Sequence, residues 1–187
     1  MLQKLSDWLE RFSEGRVVLI ALVTFLLFTA LVLPRQGSAA ERSAGGAGSP
    51  DMSFSYSAQD LYQMAEAYGE QGRAAYVRTR FTFDLIWPLV YTFFLATAIS
   101  WLLRGASAAL LHRLNLVPIF GALFDYLENI STSLVMLRYP QPTTIVDRLA
   151  PFLTLIKWIF VYGSFVVLLV GAGVAVVGWM RDRSRRA

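Results

Sequence analysis

The sequence predicts an all-α protein: a four-helix transmembrane bundle with an N-terminal interfacial helix and an extracytoplasmic amphipathic helix. Three observations carry that expectation. Of 187 residues, 56% are hydrophobic and 16% charged, with a mean hydropathy of +0.49, too apolar for an ordinary soluble domain of this length. Four stretches, residues 17–33, 81–103, 114–137 and 151–180, approach or exceed the roughly 20 apolar residues that a helix needs to cross a bilayer. The arginines cluster beside those stretches, where membrane topology places them, so an isoelectric point near 9.6 calls for no nucleic-acid partner.

The elements follow in chain order. Residues 1–16, MLQKLSDWLERFSEGR, put Leu2, Leu5, Trp8, Leu9 and Phe12 at helical spacing, which predicts an interfacial helix lying along the membrane surface. Residues 17–33 form the first span. A charged start, an apolar run and the small residues GSAA also come in the order of a signal peptide, but the run exceeds the usual span of about 7 to 15 residues, so an uncleaved anchor is expected. Residues 34–51 begin PRQGSAAERSAGGAGSP, rich in Gly, Ala and Ser without periodicity, and predict a flexible extracytoplasmic linker.

Residues 52–80 predict an extracytoplasmic amphipathic helical segment. Ser57 and Asp60 make a capping box, Leu61, Met64 and Tyr68 form one apolar stripe, and Gly69 and Gly72 mark a break. Residues 81–180 hold three further spans, and 181–187 form a basic cytoplasmic tail. In the second span Pro88 lies four residues after Asp84, so it removes the helix bond to the Asp84 carbonyl and predicts a kink. For the fourth span, Thr144 and Asp147 read as a second capping box and Pro151 as the first helical position. Gly171 and Ala175 make a small-residue packing seam, and Trp87, Trp101, Trp158 and Trp179 sit near span ends as an aromatic belt does.

Arginine counts set the orientation. The connection RGASAALLHR carries Arg104 and Arg113, with His112 a solvated member of it, and the tail RDRSRRA carries four arginines against Asp182. The loop RYPQPTTIVDR is nearly balanced. The expectation is a multi-pass protein of the cell membrane with both termini and the middle connection cytoplasmic. The five arginines between residues 34 and 80 are offset by five acids, and long translocated segments count little in this rule.

Polar residues inside the spans are the candidate site. At 1.5 Å per helical residue, Asp125 lies about 18 Å from the level of Arg113, and Glu128 about 15 Å from that of Arg138. Both are near the midplane. Asp125, Glu128 and Asn129 share one helix face by their i, i+3, i+4 spacing, and Thr132 continues that row outward. Ionised carboxylates there would cost several kcal/mol, in the range of about 2.5–3.5 kcal/mol or more each, unless protonated, paired or wetted. Asp84 lies about one turn below the outer boundary, Tyr91 reaches two turns deeper, and Lys157, about 9 Å below the outer surface, is the sole cation within a span. The expected ligand-binding set is therefore Asp84, Tyr91, Asp125, Glu128, Asn129 and Lys157, with Asp125 or Glu128 changing protonation. The plainer reading makes Asp84 and Lys157 interfacial, with Arg80 and headgroups as partners, and the Asp125 row a polar zipper between helices.

Other chemistries are restricted by composition. Without cysteine there are no disulfides, thiolate metal sites or cysteine nucleophiles. No histidine lies in a span, so neither a four-helix di-iron site nor zinc hydrolysis has its ligands. Ser131 and Ser133 lack a nearby base. Asp125, Glu128 and Asn129 do offer oxygen ligands to Mg²⁺, and D-Y-L-E-N resembles the aspartate-rich motifs of UbiA-type intramembrane prenyltransferases. That resemblance implies an Mg²⁺-dependent enzyme acting on a lipid or isoprenoid phosphate, with this chain carrying one partial motif and four spans. Over residues 52–180 the succession of F-D-L-I-W-P-L-V-Y, F-D-Y-L-E-N and a tryptophan-flanked last span looks like a family of small four-span bacterial membrane proteins. It implies an architecture and no activity.

The leading expectation is a binding protein with an intramembrane polar pocket, open to the outer side and covered by the helix after Ser57. Its partners would be the lipid bilayer and a lipid headgroup or small polar ligand. A structural or accessory subunit with a membrane-protein partner is the third reading. No cofactor is specified.

Overall fold

The computed structural model describes residues 1–104 and 109–186, and every regular element within them is helical. Residues 105–108 of the expected basic connection, and Ala187 of the tail, lie outside the described residues. Among the described residues three helices are long and apolar enough to cross a membrane, spanning Gly15–Arg42, Ala58–Leu103 and Val146–Met180.

Helix α1, Leu2–Phe12, has two working faces. Leu2, Leu5, Trp8 and Phe12 are exposed, while Leu9 is buried against Ala96 and Leu116. Its polar residues dock as well. Asn115 Nδ2 donates to the Ser6 carbonyl at 3.1 Å, and Arg104 Nη2 donates to the carbonyls of Glu10 and Ser13 at 2.7 and 2.8 Å. His112 is not simply solvated, since its Nδ1 lies 3.0 Å from Glu10 Oε2.

Helix α2, Gly15–Leu27, continues through a π-helical turn, Phe28–Val32, into α3, Leu33–Ala44. The wide turn comes just before Pro34, whose ring cannot fit the α-helical carbonyl four residues back; loosening the coil there lets the helix pass the proline. The linker expected over 34–51 is thus helical as far as Ala44, and its sequence explains why in retrospect. Ala39, Ala40, Glu41 and Arg42 are good helix formers, and Ala44 is buried against the next helix. Gly45, with φ of 57°, ends the helix in the left-handed conformation that glycine adopts freely.

After a 3₁₀ turn at Pro50–Met52, α4 spans Ala58–Arg80. Its capping box is formed as expected: Asp60 N donates to Ser57 Oγ and Ser57 N to Asp60 Oδ2. Of the two glycines only Gly69 breaks the helix, with φ of 61° and ψ of −179°; Gly72 stays helical and buried. Leu61, Ala65, Tyr68 and Tyr76 bury against Val135, Met136 and Ala150.

Helix α5, Phe83–Leu103, is the hub, with Pro88 inside it. Its Tyr91, Phe94, Leu95, Ala98 and Ile99 form the main core with Ala21, Ala122 and Val161. A short α6, Ala109–His112, and a 3₁₀ turn, Arg113–Leu116, lead to α7, Val117–Arg138. At 22 residues α7 is long enough to cross a bilayer, yet it is not among the three apolar helices. Asp125, Glu128, Asn129 and the hydroxyls of residues 131–133 dilute its hydropathy, which the count of four spans from sequence passed over.

Helix α8, Val146–Arg186, starts five residues earlier than expected. Pro151 lies inside it and not at its first position, and the turn before it is closed by Asp147 N donating to the Thr143 carbonyl, not by a Thr144 box. Helices α7 and α8 approach closely at Gly121, where an added Cβ would stand 3.2 Å from Val161 Cγ2. Of the expected small-residue seam, Gly171 packs on Leu102 while Ala175 is exposed.

Candidate functional site

The polar residues of α5, α7 and α8 meet at one place, together with two groups that precede them in the chain. Helical spacing puts Asp125, Glu128 and Asn129 on the inner face of α7, and all three are buried. Lys157 of α8 is buried too, and forms an ion pair with Glu128 Oε2. Glu128 Oε1 accepts from Thr154 Oγ1 at 2.9 Å; Thr154 is one turn before Lys157 and so shares its face. Tyr56, in the irregular segment before α4, shares a hydrogen bond with the Thr154 hydroxyl at 2.9 Å.

Asp125 is held from two sides. Its Oδ2 accepts from the Tyr91 hydroxyl at 3.1 Å, and its Oδ1 from Asn129 Nδ2 at 3.2 Å. Arg80, the last residue of α4, reaches Asn129 Oδ1 at 3.5 Å. The guanidinium also lies 2.8 Å from Asp51 Oδ2 and 3.0 Å from Asp84 Oδ2, the latter four residues on across the break between α4 and the next helix. It stacks on the Tyr76 ring at 4.6 Å, and Tyr76 in turn donates to Thr132 at 3.1 Å.

Asp51 closes the circuit. Its carboxylate takes Arg80 and the Ser49 hydroxyl, and its main-chain carbonyl accepts from Lys157 Nζ at 3.2 Å. Burial alone would push this carboxyl up, but Arg80 and Lys157 outweigh burial and hold it below its ordinary value. Burial pushes the Tyr56 phenol up, and the Glu128 and Asp51 charges act in the same direction.

All six residues predicted from the sequence, Asp84, Tyr91, Asp125, Glu128, Asn129 and Lys157, therefore belong to one connected network. Sequence reasoning missed Asp51 as a member, and treated Arg80 only as an interfacial partner of Asp84. The Arg80–Asp84 spacing of four was a visible signal. Nothing periodic marks Asp51, because the segment carrying it is irregular.

The site is filled, not hollow. Glu128 is 0% exposed and Lys157 4%, and the side chain of Asp51 keeps only 17% of its surface. The cover is the turn at Pro50–Met52 together with Tyr56 and Tyr76, and so includes residues before the Ser57 cap as well as α4 itself. An open groove of about 260 Å³ between Leu134 and Val146 contains no residue of the cluster. Among the described residues no three acidic or histidine side chains are grouped to hold a metal ion.

The cluster holds more acidic than basic groups. Four carboxylates, Asp51, Asp84, Asp125 and Glu128, face two cations, Arg80 and Lys157. The arrangement can exchange protons or accept a replacement for one of its anions; the donors it offers inward are a guanidinium, an ammonium and several hydroxyls. No protein-family model, curated protein or solved structure matches this chain.

Proposed function

We propose that the chain is a four-span protein of the cell membrane, with both termini cytoplasmic, that binds a lipid headgroup or small polar ligand at the Arg80–Lys157 cluster. In this reading α7 is the third of four spans, tolerated in the bilayer because α4, α5 and α8 cover its polar face. Any lipid-facing irregular backbone would be costly, so the segment at residues 45–57 sits at the outer boundary. The ligand enters from that side when the segment moves.

The observation that carries the proposal is the connection of six ionisable side chains from four helices and the turn at Pro50–Met52 into one buried network. A packing device alone needs no such number. Replacing a buried ion pair by apolar residues is often neutral or stabilising, so retaining three carboxylates beyond the Glu128–Lys157 pair points to use of the charge.

The test is lipid retention. The chain reconstituted in nanodiscs of mixed phosphatidylcholine, phosphatidylethanolamine and phosphatidylglycerol is released and weighed by native mass spectrometry at several pH values. The native chain should retain one lipid, and the Asp125→Asn, Glu128→Gln double variant should lose both that lipid and its pH dependence. Unchanged retention in the double variant would remove the cluster from the function.

A further inference from the structure

We infer that Asp51 is a built-in substitute for the ligand's own anion, and that the site takes a phosphodiester monoanion in its place. This rests on the binding reading above and names its ligand class. Three oxygens of Asp51 are engaged by three donors: Oδ2 by Arg80, Oδ1 by the Ser49 hydroxyl, and the main-chain oxygen by Lys157. One residue thus offers a triangle of oxygens to two cations that belong to two different helices, α4 and α8. A phosphate group presents the same kind of oxygen cluster, and guanidinium and ammonium groups are its usual partners.

The residue sits outside the long helices that carry the other acids. Asp84, Asp125 and Glu128 are each fixed within a long helix, whereas Asp51 lies in a three-residue 3₁₀ turn. Upstream of that turn, Gly45, Gly46 and Gly48 all have positive φ, at 57°, 85° and 76°. Glycine allows such angles and many alternatives, so the turn can swing without moving either helix that carries the cations. The downstream tether is the irregular stretch, bent at Phe54 and Ser55, before the Ser57 cap.

Charge selects the ligand class. With four carboxylates against two cations, the cluster already has an excess of acid. Withdrawing Asp51 and admitting a monoanion leaves the formal charge of the buried site unchanged, whereas a dianionic phosphomonoester adds one more uncompensated charge in a low-dielectric setting. A phosphodiester is therefore preferred over a monoester. The diester can come from a lipid headgroup or from a free molecule in solution; the recognising chemistry is the same.

The cost of withdrawing Asp51 reduces apparent affinity by the fraction of molecules in which the site is open. Removing its charge should recover that loss. The experiment compares the native chain, Asp51→Asn and Ser49→Ala by tryptophan fluorescence titration, since Lys157 stacks on Trp158 at 4.9 Å. Probes are dimethyl phosphate and methyl phosphate in solution, and phosphatidylglycerol or phosphatidic acid carried in phosphatidylcholine nanodiscs.

Asp51→Asn should bind the diester about tenfold more tightly than the native chain, Ser49→Ala should gain a smaller factor, and Arg80→Gln should abolish binding. The lipid arm responding alone assigns the diester to a headgroup; both arms responding assigns it to free and lipid forms alike, and either supports the inference. If the native chain binds the diester and neither Asp51→Asn nor Ser49→Ala binds it more tightly, Asp51 is no substitute and this inference falls while the binding reading stands. A preference for the monoester also overturns it. If native chain, Asp51→Asn and Ser49→Ala all fail to bind every probe, while Asp51→Asn retains the native helix content by circular dichroism, the binding reading falls too.

Discussion

At the scale of single residues, the Glu128–Lys157 pair is the most demanding contact in the molecule. Both side chains are almost wholly buried, so each charge depends on the other for its solvation. Removing one partner strands the other. Lys157→Met should cost about 3–5 kcal/mol in denaturant unfolding from detergent micelles, while Glu128→Met combined with Lys157→Met should recover most of that loss. Equal destabilisation of single and double variants would show that the two charges are not each other's main partner. The pair was half legible in the sequence: depth and helical face placed Glu128 inward, and Lys157 stood out as an intramembrane cation. What one-dimensional spacing could not supply was the angle of α8 about its own axis, which Gly121 and Val161 set by close packing between helices.

At the scale of elements, the segment between α3 and α4 departs furthest from expectation. Composition rich in Gly, Ala and Ser suggested a linker without structure, but the alanines extend a helix to Ala44 and the remainder folds over the polar cluster. Low hydrophobicity hid this, because the segment is held by charge: Arg80 and Lys157 draw in Asp51, and Thr154 binds Tyr56. The capping box at Ser57, by contrast, was fully legible, since both of its bonds lie within four residues. The closure has a pH dependence with a definite sign. Asp51 is depressed below its ordinary 3.8, so its contribution is complete above about pH 5 and is lost as acid protonates it below about pH 4. Tyr56 is raised above its ordinary 10.0, so its contribution is complete below about pH 9 and is lost above that ordinary value, where the released phenol ionises. The groups facing Asp51 are Arg80 and Lys157, with Glu128 behind Thr154. Pro50 is fully buried and the chain has no cysteine, so a Pro50→Cys variant reports opening without background. Its labelling at each pH by 4,4′-dithiodipyridine, an activated disulfide that reacts with thiols in acid as well as in base, taken relative to the same chain unfolded in denaturant, should rise at both extremes, and adding Asp51→Asn should remove the acid limb. A flat profile would separate closure from these two groups.

At the scale of the whole molecule, the question is how a chain with three plainly apolar helices houses a fourth that is not. The first apolar helix has only 6% of its apolar window buried by the rest of the chain, and the last 17%, so both leave wide surfaces that lipid would cover. Helix α7 has the opposite character: buried on the face that carries Asp125, Glu128 and Asn129, exposed at Leu123, Leu127, Ile130, Leu134 and Leu137 on the other. That apolar outer face is what a lipid-facing span needs, and a hydropathy average over the whole helix conceals it. Whether α7 crosses decides the parity of the chain. With four crossings the two termini share a side, and positive charge puts that side in the cytoplasm; with three they lie on opposite sides. Single cysteines at Gln141, in the turn between α7 and α8, and at Ser184, near the end of α8, separate the two arrangements in intact cells. If α7 crosses, an impermeant maleimide labels Gln141→Cys from outside at once and Ser184→Cys only after permeabilisation. The N-terminal side is fixed by a third cysteine at Lys4, which should follow Ser184→Cys. Opposite behaviour of Lys4→Cys and Ser184→Cys would show an odd number of crossings, and α7 would then be a helix packed outside the bilayer, its cluster shielded by the neighbouring helices alone.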